Sequence, residues 1–300
     1  MGENLSQEQL ESLEAYLRGD AGEALLTMMK SLSLHQRDVM FDREAVQFAV
    51  STGLVSVDAT GQPVPTPLGW LVSDSIREYM FWIERDRLLR NYDTQPVFAD
   101  SVFRGKRVLE IGSGVGCNLF SLQPIASSVV GIEIEPVYVQ LAPVLAKLAG
   151  IEPPPAHVGP AEHLPLDDAS QDVIIAFGSF QFMDFKQALG EITRVLDAGG
   201  MFMAILSAMG QFAGYEIREA RKAGDVKRFL RTFLVMANTY HEQWVGRRTG
   251  WFEDRNPLNR AVYPTRRRMR RLFLDAGLIP DDALTEDHKH ETIYVARKPR

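Results

Sequence analysis

From residue 107 onward, apolar runs of strand length alternate with segments of helical periodicity. The strand-like runs are RVLEI at 107–111, SVVGIEI at 128–134, DVIIAF at 172–177 and MFMAILS at 201–207. Such alternation favours a parallel sheet with right-handed crossover connections. The sequence therefore predicts a doubly wound, mostly parallel α/β fold over 98–300. A helical insert at 210–260 interrupts it before the last helix and strand.

The first part of the chain has a different texture and predicts a small, mostly helical domain over 1–74. Short helical segments come first, and Asp42 is a suitable N-cap for the segment REAVQFAVS. Leu54–Val57 and a run beginning at Val64 then predict two short strands, joined by a turn. A helix, a two-stranded wing and a further helix start resemble a winged-helix module. A linking helix is expected within residues 75–97.

Charge argues against DNA as the partner of this module. Residues 1–97 hold 8 Lys and Arg against 15 Asp and Glu, and the helix that would enter the groove offers only Arg43. Duplex binding needs several cationic contacts to phosphate. Residues 210–300, with 19 Lys and Arg against 12 Asp and Glu, are the only third that could attract an anion at long range.

Composition predicts a cytoplasmic protein without a metal site. The single cysteine, Cys117, excludes an intrachain disulfide and a cysteine-based zinc site. Asp167 and Asp168 are typical of a solvated turn, and the histidines at 288 and 290 have no ligand framework nearby. The chain begins with a polar segment and holds no apolar run long enough to span a membrane, so no membrane partner is expected.

The most informative run is Glu110-Ile-Gly-Ser-Gly-Val-Gly116, where a strand enters a turn and then a helix. Glycines there let the backbone approach a ligand closely and adopt positive φ. A dinucleotide fold would have a third glycine where this chain has Cys117. The carboxylate of Glu110 would repel a pyrophosphate and attract an ammonium or sulfonium group.

This run resembles motif I of class I S-adenosylmethionine-dependent methyltransferases, and further motifs follow in the family's order. Glu133-Ile-Glu-Pro136 resembles the acidic end of the second strand, where the carboxylate holds the two ribose hydroxyls. Ala161-Glu-His-Leu-Pro-Leu166 resembles the adenine loop, and 194–200 resembles the turn into the fifth strand. The resemblance implies a seven-stranded Rossmann-like sheet with S-adenosyl-L-methionine as cofactor.

The resemblance assigns a set of residues to the cofactor. In chain order they are Glu110, Gly112, Ser113, Gly114, Gly116, Asn118, Glu133, Ile134, Ala161, Glu162, Phe177 and Gly178. One departure concerns adenine. Pro160 stands where the family often has an acid, so Glu162 or the backbone near Ala161 is expected to take its place.

The resemblance favours methyl transfer to a small organic acceptor, with O-methylation ahead of N- or C-methylation. The run after the fourth strand, 177–183, lacks the signature of base-amine methyltransferases and an obvious metal-binding carboxylate. Two alternatives remain: an RNA or protein methyltransferase that docks through the basic C-terminal third, and a regulator that binds S-adenosylmethionine without turnover. The N-terminal module resembles one found in natural-product O-methyltransferases, where it supports dimerisation, so a homodimer is expected.

The helical insert combines aromatic and cationic residues, which suits an aromatic, anionic acceptor. They are Phe212, Tyr215, Phe229, Phe233, Tyr240 and Trp244, with Arg218, Arg221, Lys222, Arg228 and Arg231. A lid of two helices, with arginines in water, explains the same spacing. Tyr240 and His241 are the candidate proton acceptors, because histidine titrates near neutral pH.

Overall fold

The computed structural model describes residues 4–36, 39–85, 95–246, 261–288 and 291–300. The chain divides into two compact units. The first combines residues 1–105 with 113–159, and the second combines 106–112 with 160–300. The domain boundaries expected from the sequence, 1–74, 75–97 and 98–300, stay a prediction.

The helices and strands of the described residues are as follows. The helices are α1 (Gln7–Arg18), α2 (Gly22–Ser33), α3 (Arg43–Ser51), α4 (Pro67–Glu84), α5 (Asp100–Phe103), α6 (Cys117–Leu122), α7 (Pro136–Leu148), α8 (Phe185–Val195), α9 (Met209–Ala223), α10 (Val226–Val245) and α11 (Arg266–Asp275). The strands are β1 (Val55–Val57), β2 (Pro63–Pro65), β3 (Arg107–Ile111), β4 (Ser128–Glu133), β5 (Ala156–Val158), β6 (Gln171–Phe177), β7 (Leu196–Leu206), β8 (Ile279–Pro280), β9 (Glu286–His288) and β10 (Glu291–Arg297).

The N-terminal elements follow the local signals of the sequence. Asp42 caps α3, and its carboxylate accepts from the backbone N–H groups of Glu44 and Ala45, both at 2.9 Å. β1 and β2, the two short strands expected from the sequence, pair antiparallel. That they form the wing of a winged-helix module stays a prediction.

The first part of the linking helix expected within 75–97 lies in helix α4. This helix begins earlier, at Pro67, and ends at Glu84. Thr66 caps it by accepting from the N–H of Gly69 at 3.0 Å, and proline is suited to the first helical turn. The helix start predicted at 66–71 and residues 75–84 of the expected linking helix are therefore one continuous helix. The part of the expected linker at 86–94 lies outside the described residues.

The N-terminal helices share one hydrophobic core with the segment that follows the glycine run. Buried side chains of α1, α2 and α4, such as Leu13, Met29 and Ile76, cluster with Phe120 of α6 and Leu141 of α7. In the same unit β4 and β5 pair in parallel. The N-terminal module is therefore part of the compact unit that carries residues 113–159.

The second unit is built on a mixed set of strands. β3, β6 and β7 pair in parallel, and β10 pairs antiparallel with β7. The short strands β8 and β9 both pair antiparallel with β10. This unit therefore holds six described strands of a mixed sheet, β3, β6, β7, β8, β9 and β10. Parallel alignment places the ends of β3, β6 and β7, and the loops that follow them, at one edge.

The helical insert begins directly after β7, and its described part is the helix pair α9 and α10. Gly224, with a φ of +64°, ends α9, and Asp225 caps α10. Residues 247–260 of the insert lie outside the described residues. Within the described ranges, no helix is long and apolar enough to cross a membrane.

Candidate functional site

The glycine run after β3 forms a loop that only glycine can build without strain. Gly112, Gly114 and Gly116 have φ angles of +71°, +54° and +83°. A Cβ on Gly112 would lie 2.3 Å from the Cβ of Ser179. The Ser179 hydroxyl cannot easily retreat, because it donates to the carbonyl oxygen of Ile111 at 2.6 Å. The first glycine therefore keeps space open where β3 ends.

The second glycine is held by an acidic side chain from the end of β4. The N–H of Gly114 donates to Oε2 of Glu133 at 2.9 Å. A Cβ on Gly114 would also lie 2.7 Å from Oε2 of Glu78, a residue of α4. The glycine loop thus presents bare backbone between two carboxylates.

Glu133 is 6% exposed, and burial is the main reason why its pKa is raised above the ordinary 4.5. Hydrogen bonds from the backbone N–H groups of Glu135 and Gly114 oppose that shift. The Glu135 N–H donates to Oε1 of Glu133 at 3.0 Å. The side chain of Ile134, another predicted cofactor residue, is 63% exposed. The carboxylate is fixed in place, as a group that must accept two hydroxyl hydrogen bonds should be.

The remaining predicted residues of this segment are buried. Glu110, at the end of β3, is 1% exposed, and Asn118 in α6 is also buried. The N–H of Ser113 donates to the carbonyl oxygen of Ile132 at 3.1 Å, and its buried hydroxyl has no hydrogen-bond partner among the described residues. The bare backbone at Gly114 and the fixed carboxylate of Glu133 suit a ligand rich in hydroxyl groups, which fits the ribose of S-adenosylmethionine.

The predicted adenine loop is fastened to helix α8. Arg194 donates to the carbonyl oxygens of Leu166 and Leu164, at 2.8 and 3.0 Å. Glu191 accepts from the N–H of Leu164 at 2.9 Å and from Arg194 at 2.8 Å. The Arg194 guanidinium is the main reason why the pKa of Glu191 falls to about 2. The sequence analysis missed this clamp, although carboxylate and guanidinium lie three residues apart on one helix.

Replacing Arg194 by alanine should lower the free energy of unfolding by about 1–3 kcal/mol, because loop carbonyls and a carboxylate lose a charged donor. Chemical denaturation measures this. Since the pKa of Glu191 is lowered from 4.5 to about 2, its contribution is present above pH 4.5 and is lost as pH falls towards 2. Arg104→Ala, which removes an exposed ion pair to Asp100, is the matched control and should cost less than about 1 kcal/mol. Equal losses in both variants would contradict the clamp.

Other predicted residues in this unit are largely engaged within the protein. Ala161 is buried, and Oε1 of Glu162 accepts from the N–H of Asp184 at 2.6 Å. Phe177 is buried at the end of β6, and the N–H of Gly178 donates to the carbonyl oxygen of Ile205 at 2.9 Å. Because Glu162 is engaged at the start of α8, the backbone near Ala161 is the better candidate to contact the adenine in place of the family's acidic residue.

The two candidate proton acceptors lie on α10. Tyr240 is 49% exposed and His241 is half-buried. Consecutive helical positions point about 100° apart, so the two side chains leave the helix in different directions. Their catalytic role stays a prediction.

The predicted anion-binding cluster of the insert is partly neutralised by its own carboxylates. Arg228 makes two hydrogen bonds to Glu216, at 2.9 and 2.8 Å, and Lys222 pairs with Glu219. Arg231 lies 3.6 Å from Glu216. Arg218 and Arg221 are exposed on α9.

Aromatic residues of the insert also divide into two groups. Phe212 stacks on Tyr263 at 4.0 Å between ring centroids, and Phe229 packs edge-on against Phe233. Tyr240 and Trp244 are exposed, Trp244 to 87%. Packing within α10 and against Tyr263 therefore explains part of the aromatic density that the sequence analysis assigned to a pocket.

Comparison with known proteins identifies the segment around this site. Residues 109–204 match the model of the methyltransferase domain family. An uncharacterized methyltransferase of Bacillus subtilis, YcgJ, is 32% identical over 100 residues, which cover 33% of this chain and 40% of the relative. Demethylmenaquinone methyltransferase of Thermus thermophilus is 34% identical over 103 residues, or 33% of this chain and 46% of the relative. The chain spans less than half the length of these curated relatives.

Solved structures share the fold. A proposed S-adenosyl-L-methionine-dependent methyltransferase from Methanococcus maripaludis aligns with a TM-score of 0.51 at 16% identity, covering 78% of this chain and 94% of that one. At that identity the likeness shows the fold alone. The family match and the shared fold agree: residues 109–204 form a methyltransferase domain.

Proposed function

We propose that the chain as a whole is an S-adenosylmethionine-dependent methyltransferase that acts on a small organic acceptor. The observation that carries this proposal is the bond between the Gly114 N–H and the buried carboxylate of Glu133, inside a glycine loop of the matched domain. When bound, S-adenosylmethionine supplies a methyl group activated by a sulfonium. The protein's main contribution is then to position the reactants, which contributes about 7–11 kcal/mol at most.

The described residues divide the task of holding the cofactor. Glu133 accepts the ribose hydroxyls, while Gly112 and Gly114 leave room for the ligand against the backbone. Glu110, at the end of β3, offers a carboxylate for a cationic group. The loop at 161–166, clamped by Arg194, provides backbone contacts for the adenine.

A small acceptor is supported by the names of the relatives. One is a demethylmenaquinone methyltransferase, and another, from Mycobacterium leprae, is a phthiotriol/phenolphthiotriol dimycocerosates methyltransferase, 34% identical over 99 residues. O-methylation is part of this proposal. An aromatic, anionic acceptor fits the exposed Arg218, Arg221, Tyr240 and Trp244.

Calorimetry with S-adenosylhomocysteine and turnover with isotopically labelled S-adenosylmethionine test the proposal together. We expect binding, and label transfer to at least one phenol, quinol or carboxylic acid in a panel of acceptors. Transfer only to RNA or protein, weakening steeply with salt, would favour the alternative that docks through the basic C-terminal third. Binding without any transfer would favour a non-catalytic regulator.

His241→Ala should lower turnover of the true acceptor by at least about tenfold if His241 is the general base, since such bases contribute about 10²–10⁴-fold. Binding of S-adenosylhomocysteine should be unchanged. Tyr240→Phe, which removes the neighbouring hydroxyl, compares the two candidates. Unchanged turnover in both variants would leave positioning alone as the mechanism.

The N-terminal elements support a further part of the proposal. Their order, with the paired β1 and β2 after α3, is compatible with a winged-helix-like module that serves dimerisation, and not DNA binding. A homodimer in the cytoplasm is proposed. Sedimentation of the full-length chain tests it, because a truncation after residue 74 would remove part of a shared core.

A further inference from the structure

Helix α4 brings a second carboxylate to the glycine loop. Oε2 of Glu78 would lie 2.7 Å from a Cβ on Gly114, and its Cδ 3.7 Å away. Glu78 stands outside the matched family segment, which begins at residue 109. The sequence analysis gave this residue no role.

The position of Glu78 is fixed by contacts on both sides of it along α4. One turn before it, Asp74 accepts from the hydroxyl of Tyr138 at 3.2 Å. One turn after it, the indole N–H of Trp82 donates to the Ser121 hydroxyl at 2.7 Å, and the Trp82 ring packs edge-on against Phe120 at 5.3 Å. α4 is therefore anchored to α6 and α7, the helices that follow the glycine loop and β4.

Glu78 and Glu133 approach the same glycine. Glu133 accepts from the Gly114 N–H, and Oε2 of Glu78 lies 2.7 Å from the position that a Cβ on Gly114 would take. The negative charge of Glu78 adds to burial in raising the pKa of Glu133. Two neighbouring carboxylates repel each other, and a ligand that places hydroxyl donors between them relieves that repulsion.

We propose that Glu78 is a second ribose contact, accepting a hydrogen bond from one of the two ribose hydroxyls of the cofactor beside Glu133. This inference rests on the proposed function. Glu78 is thereby a cofactor-binding residue that the N-terminal module supplies, and the module completes the binding site. The ribose is favoured over the sulfonium because Glu78 shares its glycine with Glu133, the carboxylate that the resemblance assigns to the ribose.

Calorimetry of wild type and Glu78→Ala with three ligands tests this inference. The ligands are S-adenosylhomocysteine and its 2′-deoxy and 3′-deoxy analogues. We expect Glu78→Ala to bind S-adenosylhomocysteine about tenfold more weakly, since a charged hydrogen bond is lost. In wild type one deoxy analogue should bind about tenfold more weakly than the parent, and in Glu78→Ala that difference should shrink below about twofold.

Glu84→Ala is the matched control, because Glu84 is a glutamate of the same helix that pairs with Lys30. It should leave all three affinities unchanged. Equal weakening of all ligands by Glu78→Ala would show that Glu78 only supports the loop and would overturn the inference. A separate titration of both proteins with S-adenosylmethionine tests the sulfonium. If Glu78→Ala changes the preference for S-adenosylmethionine over S-adenosylhomocysteine, without coupling to either hydroxyl, Glu78 lies at the sulfonium and the inference is also overturned. If wild type binds none of these ligands, the proposed function itself fails.

Discussion

Gly114→Val is expected to weaken binding of S-adenosylhomocysteine by about 100-fold or more, which corresponds to about 2.7 kcal/mol. Position 114 has a φ of +54°, and a valine Cβ would lie 2.7 Å from Oε2 of Glu78. The branched side chain would also fill the space where the backbone meets the ligand. Strain of about 1–3 kcal/mol and steric exclusion of the ligand act in the same direction. Calorimetry measures the change.

Gly150→Val separates strain from loss of the site. Gly150 lies in the turn after α7 with a φ of +69°, and a Cβ there would meet nothing within 4 Å. The backbone strain of the two variants is therefore similar, whereas only Gly114 lies in the glycine loop. Both variants should lose thermal stability, and only Gly114→Val should lose binding. Retained affinity in Gly114→Val would remove this loop from the cofactor site.

Much of the cofactor segment could be predicted because its signals are local. Glycines at 112, 114 and 116 are needed for positive φ, and all three angles are positive. Glu133 ends strand β4, as the resemblance implies for the ribose carboxylate, and in the structure it accepts from the Gly114 N–H. The parallel strands from 107 to 206 followed from apolar periodicity, which the family match supports.

Contacts between residues far apart in sequence could not be predicted. Strand β5, which pairs with β4, has only three residues, Ala156–Val158. It lies in a polar, proline-rich stretch that shows no strand pattern. The approach of Glu78 to Gly114 joins positions 36 residues apart through a helix whose periodicity is unclear. No local pattern marks such a residue, because its role depends on how α4 packs on α6 and α7.

In the insert the error is the opposite one. Its composition predicted an anion-binding cluster, but ion pairs within the insert already engage part of that cluster. Arg228 and Lys222 were candidates for holding an anion, yet their partners are Glu216 and Glu219 of the neighbouring or same helix. Counting cations does not reveal whether a carboxylate lies one helical turn away or across a helix pair. The same residues therefore stabilise the helix pair, and an anionic acceptor would depend on Arg218 and Arg221.

Glu133→Ala should weaken binding of S-adenosylhomocysteine by about 10–150-fold, since the loss of charged hydrogen bonds costs about 1.5–3 kcal/mol. Glu133→Gln keeps the shape and loses the charge, so its effect should be smaller. Glu135→Gln is the control two residues away. Glu135 contributes its backbone N–H to Glu133, so changing its side chain should leave the affinity unchanged.

The same carboxylate predicts how binding depends on pH. Burial raises the pKa of Glu133 above 4.5, so the group takes up a proton at a higher pH than an exposed glutamate does. In the native state the ionised form is disfavoured, and the free energy of unfolding therefore falls as pH rises from 4.5 through the raised pKa. The affinity for the ligand has the opposite pH dependence and rises with pH, because only the ionised carboxylate accepts both ribose hydroxyls.

Affinity for S-adenosylhomocysteine should accordingly fall as pH is lowered from 8 towards the raised pKa of Glu133, and this fall should begin above 4.5. In Glu133→Gln the affinity should be nearly independent of pH over the same range, because the amide does not titrate. Calorimetry in buffers of matched ionisation enthalpy measures both curves. A pH dependence that persists unchanged in Glu133→Gln would assign the titrating group to another residue, and would remove the ionised Glu133 carboxylate as the ribose acceptor.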